Sequence, residues 1–165
     1  SLEVINRGEV GAGGAKLKKN LQKEVIAKPE VLGPMQGGKG WILFQGGLNS
    51  VMQVKGTVKQ LAELFALAHS ADLQVVALSL TPWGSDGDSR FAGWKGLQLH
   101  EATAAVSRFL LKQASKDSIF GGAAAKFLPD ELPDIAVDLW NSDLRDSGAS
   151  LRPESQLAAT FATSP

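Results

Sequence analysis

The sequence has no cysteine and only two histidines, His69 and His100. A disulfide framework, a thiolate metal site and a cysteine nucleophile are therefore excluded, and a histidine-rich metal site is excluded with them. No metal and no cofactor are expected. Neither sign of charge is in excess: 17 Lys+Arg balance 17 Asp+Glu. Nucleic acid or an anionic membrane as partner normally leaves a basic excess, so neither is expected. No apolar run approaches the roughly 18 residues that span a bilayer, so no membrane span is expected. A secretory leader is not legible either. Ser1 leads almost directly into the strand-like segment Leu2-Glu3-Val4-Ile5-Asn6, and a start so close to an internal strand suggests that a preceding segment is missing.

What is present fits one soluble-type domain. The chain has 165 residues, enough for a single domain with its own core over 1–165. Hydrophobic residues make up 44% and charged residues 21%, as in ordinary globular proteins. The most informative stretch is Gly40 to Val51. A short apolar run, Trp41 to Phe44, stops abruptly at Gly46-Gly47-Leu48-Asn49. That pattern is a buried strand opening into a glycine turn that carries one polar side chain. In open α/β sheets ligands bind just outside the carboxyl ends of strands, which is where Asn49 falls.

Strand and helix signals alternate along the chain. Leu2 to Ile5 is strand-like and runs into the loop Asn6 to Gly14. Leu17, Leu21 and Val25 recur every four residues with lysines between them, predicting an amphipathic helix that Pro29 ends. Lys16, Lys18, Lys19 and Lys23 form its solvated face. After the loop Gly33 to Gly38 come the Trp41 strand and a helix from Val54 to Ala68, with Val58, Leu61, Phe65 and Ala68 on one side. Leu73 to Leu80 is the strongest strand. Pro82 breaks it, and a polar loop from Trp83 to Gly93 precedes a helix from Leu97 to Gln113. The core of Ile119–Pro133, Gly121 to Ala125, is a short helix or a loop, and Ile135 to Trp140 is a last strand. This order predicts an α/β fold: a parallel sheet with helices on both faces.

Two turns and their spacing resemble the SGNH (GDSL-type) hydrolases. That family carries an Asn-x-Gly-x-x-Gly loop after its second strand, here Asn6-Arg7-Gly8-Glu9-Val10-Gly11. Its next strand ends in Gly-x-Asn-Asp, here Gly47-Leu48-Asn49-Ser50. A Thr-x-Pro-like stop follows as Leu80-Thr81-Pro82-Trp83, and a late Val-Asp-Leu strand as Val137-Asp138-Leu139-Trp140. The resemblance implies a three-layer flavodoxin-like fold and serine ester or acyl hydrolysis, with a carbohydrate acetyl ester or a lipid ester as substrate. It implies that Gly11, through its backbone N–H, and Asn49, through its side-chain amide, build the oxyanion hole. Glycine lets backbone approach a substrate closely, and asparagine supplies two donors without a charge to desolvate.

The pattern departs from the family at both ends. The nucleophile motif Gly-Asp-Ser belongs upstream of Asn6, whereas here Gly87-Asp88-Ser89 lies in the loop after Pro82. An elbow serine comes directly off a strand end, which argues against Ser89 as nucleophile. The closing Asp-x-x-His-Pro has its nearest match in Ala149-Ser150-Leu151-Arg152-Pro153, with neither aspartate nor histidine. Ser50 stands where an aspartate is usual. No nucleophile and no base are identifiable. The family's first strand is central, so a chain without it needs another chain or fragment to complete the sheet, or a rearranged pairing, since open edges invite aggregation. A second reading is a catalytically inactive SGNH-like domain that binds carbohydrate or a protein. A third is a phosphate cradle at the Ala15 helix start, against which Glu9 stands. Asn49 also reads simply as a turn former. His69 reads as a cap at the end of its helix, and His100 with Glu101 as helix surface.

Overall fold

A computed structural model describes residues 3–81, 94–122 and 126–139 of the chain. The fold is mixed α/β. Helix α1 (Gly14–Leu21) opens it and continues as one wider π turn, Gln22–Ile26. Pro29 begins the short helix α2 (Pro29–Leu32) rather than only ending the one before it. Its missing N–H is no loss in a first helical turn. Strand β1 (Gly40–Phe44), helix α3 (Val54–Ser70) and strand β2 (Leu73–Leu78) follow. Helices α4 (Trp94–Leu110) and α5 (Lys116–Phe120) lead to strand β3 (Ile135–Val137).

The three strands form one parallel sheet in the order β1-β2-β3. Gly40 pairs with Leu73 and Phe44 with Ala77, while Val76 pairs with Ile135 and Leu78 with Val137. Among the described residues the sheet therefore has no gap between neighbouring strands, and its unpaired positions are at the outer edges. Side chains alternate across it. Phe44, Leu73, Val75 and Ala77 point into the core and are buried. There they meet Val58, Leu61, Phe65 and Ala68 of α3 and Val106, Phe109 and Leu110 of α4. Phe65 sits edge-on to Phe44 at 5.3 Å and stacks on Phe109 at 6.1 Å between ring centroids. The opposite face presents Trp41 and Leu43 of β1 and Ile135 and Val137 of β3, exposed by 47%, 71%, 47% and 38%.

Three local expectations change. Glu3, Val4 and Ile5 form no strand and are exposed. An isolated strand has no ladder to join, and β1 bonds β2 instead. Lys16 and Lys18 are not merely solvated: they pair with Glu9 and Glu63. The last strand stops at Val137, although its line continues where the Leu139 N–H donates to the buried Ser79 hydroxyl at 2.9 Å.

Candidate functional site

Two adjacent glycines shape the turn after β1, for different reasons. Gly46 allows close approach: a Cβ there would lie 2.6 Å from Leu17 Cδ1 of α1. Gly47 supplies conformation. Its φ is 110°, and Leu61, Thr57 and Val106 stand within 3.5 Å of where a Cβ would be. Only glycine takes such a backbone without strain. The chain then makes one 3₁₀ turn, Leu48–Ser50, before the buried Val51 anchors it to the core.

This turn and the N-terminal loop are docked on each other. Asn49 Nδ2 donates to the Ala12 carbonyl at 3.3 Å. The Gly14 N–H donates to Ser50 Oγ at 3.3 Å, and a Cβ on Gly13 would lie 3.3 Å from the Ser50 Cβ. Ser50 is held in turn from below: buried Thr57 donates its hydroxyl to the Ser50 carbonyl at 2.6 Å. The loop is braced on its own side as well. The Gly8 N–H donates to Asn6 Oδ1 at 2.9 Å, and Glu9 takes a hydrogen bond from Asn20 Nδ2 at 2.7 Å and pairs with Lys16 at 3.3 Å. Those two partners, Asn20 first, hold the Glu9 carboxyl below its ordinary pKa. Gly11 is exposed, with φ 76° and no atom within 4 Å of where its Cβ would lie. The structure thus brings Asn49 to the residue that follows Gly11.

Ser50 and Thr57 were not legible as members of this cluster. Ser50 registered only as a departure from an aspartate, yet it joins loop to turn. Thr57 sits among apolar helix positions, and its polar atom is used seven residues away in sequence.

The two histidines part company. His69 closes α3, at the end of the sheet opposite Asn49, about 25 Å of helix away at 1.5 Å per residue. Its ring bonds the Asp130 carbonyl through Nδ1 at 2.8 Å and Asp134 Oδ2 through Nε2 at 3.0 Å. The same Asp134 oxygen accepts the Val75 N–H at 2.7 Å. Partial burial pushes the Asp134 carboxyl up, but the Val75 and His69 bonds outweigh it and hold it below its usual range. His69 is thus a clasp between α3, β2 and the segment before β3. His100 is half-buried and lies beside the candidate site. With Met52, Val54, Gln98, Glu101 and Arg108 it lines a shallow groove of about 700 Å³ between the start of α3 and α4. Among the described residues no group of three His, Asp or Glu could hold a metal ion, and no helix is long and apolar enough to cross a membrane. Ser89 and the segments from Pro82 to Gly93 and from Trp140 onward lie outside the described residues.

Comparison with protein-family models, with curated proteins and with solved structures finds no match.

Proposed function

We propose that the chain is the scaffold of an SGNH-type serine esterase, with Gly11 and Asn49 forming the oxyanion hole for an ester substrate. The observation that carries this reading is the direct contact between the Asn6–Gly14 loop and the Gly47–Ser50 turn through Asn49 and Ala12. An oxyanion hole needs donors from both segments aimed at one point, and these segments share one hydrogen-bonded cluster at the carboxyl end of β1. The sheet supports the reading too. Its parallel order β1-β2-β3 matches the third, fourth and fifth strands of a three-layer flavodoxin-like sheet, leaving the outer edge of β1 for the strand that would carry the nucleophile. The groove beside Met52 and His100 offers room for the acyl or alcohol part of a carbohydrate acetyl ester or a lipid ester.

The chemistry would be acyl transfer: a serine attacks the ester carbonyl, a base takes its proton, and amide donors hold the developing oxyanion. Asn49 currently donates to a backbone carbonyl at a long 3.3 Å, a bond that a forming oxyanion can displace. In a preparation that hydrolyses an acetyl ester, Asn49→Ala should lower kcat about 10²–10³-fold with little change in KM, since such a donor acts mainly in the transition state. An unchanged kcat would remove Asn49 from the mechanism.

One observation favours a second reading, an inactive SGNH-like domain that binds carbohydrate or a protein. Ser50 stands at the family's aspartate position and is used structurally, donating to the Gly47 carbonyl and accepting from Gly14. No serine–histidine pair accompanies Asn49 among the described residues.

A further inference from the structure

Strand β3 is held to the sheet with little help from apolar burial. Of its three residues, Ile135 and Val137 are exposed and Ala136 is half-buried. Polar ties at its two ends hold it instead. At the carboxyl end the Ser79 N–H donates to the Val137 carbonyl at 2.9 Å. At the amino end the Asp134 N–H donates to the Val75 carbonyl at 3.0 Å. There Asp134 Oδ2 also accepts the Val75 N–H at 2.7 Å and meets His69 Nε2 at 3.0 Å.

The His69 ring stands between two acceptors. Its Nδ1 lies 2.8 Å from the Asp130 carbonyl oxygen and its Nε2 lies 3.0 Å from the Asp134 carboxylate. A carbonyl can only accept, and so can an ionised carboxylate. A neutral imidazole has one N–H, so whichever nitrogen carries it, the other turns a lone pair towards an acceptor. The doubly protonated ring donates to both. It also places positive charge in the last turn of α3, where the helix dipole favours it. Each packed element brings its own charged groups to this corner. Among the described residues Asp134 is the one carboxylate in ion-pair contact with the ring. On the 3₁₀ turn Pro129–Glu131, Asp130 reaches the ring through its carbonyl, and Glu131 is paired with Lys116 at 2.7 Å. Beyond α4, Lys112 Nζ donates to the Asp134 carbonyl at 2.6 Å. Beyond α3, Asp72 accepts the Gly37 and Gly38 N–H groups.

We propose that His69 is a proton-operated latch on β3: the doubly protonated ring fastens the strand's amino end to α3, and loss of one ring proton as pH rises lets that end open. The sign follows from the bonds. Only the doubly protonated ring makes both, so the latch is closed on the acid side of the ring's titration and released on the alkaline side. Asp134 sets a separate acid limit: partial burial pushes its carboxyl up, but the Val75 and His69 bonds outweigh it and hold it below the usual range. The two-state element is β3, docked along β2 or detached at its amino end.

Amide hydrogen exchange in the full chain, followed by NMR between about pH 5.5 and 8.5, tests the latch. Rates are corrected for the intrinsic pH dependence of exchange, and the His69 ring shifts are recorded in the same samples. Protection of the Val75 and Asp134 amides should fall about five- to tenfold as the His69 ring loses its proton, the change that one lost hydrogen bond allows. The β1 amides that bond β2 should keep their protection. Constant protection at Val75 and Asp134 would overturn the proposal, and so would an equal fall in β1, which would mark general loosening of the sheet. In His69→Gln, which has no ring to titrate, the fall should disappear; its persistence would also overturn the latch. If that variant does not fold, the parent's exchange and ring titration decide alone. None of these readouts depends on ester hydrolysis.

Discussion

At Gly47 the backbone holds φ at 110° while Leu61, Thr57 and Val106 crowd the space where a side chain would project. Gly47→Ala should therefore lower stability by about 1–3 kcal/mol, read as a drop in the midpoint of thermal or urea unfolding. A variant as stable as the parent would mean that the turn is not held in this conformation. Asp134 gives a pH-dependent counterpart at the other end of the sheet. Its folded pKa is depressed, so its bonds to Val75 and His69 stabilise the fold above the unfolded aspartate value of about 3.9. That contribution is lost as pH falls through the lower folded value. Asp134→Asn keeps an acceptor for the Val75 N–H but loses the charge. The variant should melt lower than the parent at neutral pH, and the gap should narrow below about pH 4. Parallel melting curves across the acid range would show that the clasp does not stabilise the fold. The legibility of these residues is uneven. Asn49 and Gly47 stood out because a polar residue in a glycine turn interrupts an apolar run. Ser50, Thr57 and the Asp134–His69 clasp did not, because each acts through a partner at least seven positions away that no local pattern marks.

Helix α3 was legible because its buried stripe, Val58, Leu61, Phe65 and Ala68, repeats at helical spacing and all four residues are buried. β2 was equally plain from its apolar run. Elements whose fate depends on neighbours were less so. Glu3–Ile5 has strand composition but no strand beside it, and α5 is set by a local device, the reciprocal bonds of Ser115 and Ser118, rather than by periodicity. The helix after Gly14 was visible, whereas its conversion to a π turn at Gln22–Ile26 was not, since the same residues could continue either ladder. Phe65 joins the best-read elements, touching Phe44 of β1 and Phe109 of α4 from the middle of α3. Phe65→Ala should cost about 3–5 kcal/mol, a loss that equilibrium unfolding in urea would measure. A cost below about 1 kcal/mol would mean that the core closes elsewhere.

At the scale of the molecule, the alternation of strands and helices announced an α/β protein with a parallel sheet, and the three paired strands have that character. The layer on the second face is where sequence pattern stops being informative. Trp41, Leu43, Ile135 and Val137 are as apolar as buried positions, so nothing in their own segments distinguishes a covered face from a bare one. The contact between the first loop and the β1 turn was anticipated only through the order of two weak motifs, since loop docking depends on long-range bonds such as Gly14 to Ser50. That contact is also the basis of the functional reading, which stands or falls on whether acyl chemistry occurs there. The most direct measurement is an acetyl-ester chromogen assay on the purified chain, with and without a serine-directed fluorophosphonate, followed by intact mass and peptide mapping. The esterase account predicts turnover that the reagent abolishes, with one label on a serine of this chain or of a fragment that completes its sheet. No turnover and no label, at a single mass matching the 165 residues, would contradict it and leave a fold without the hydrolase chemistry.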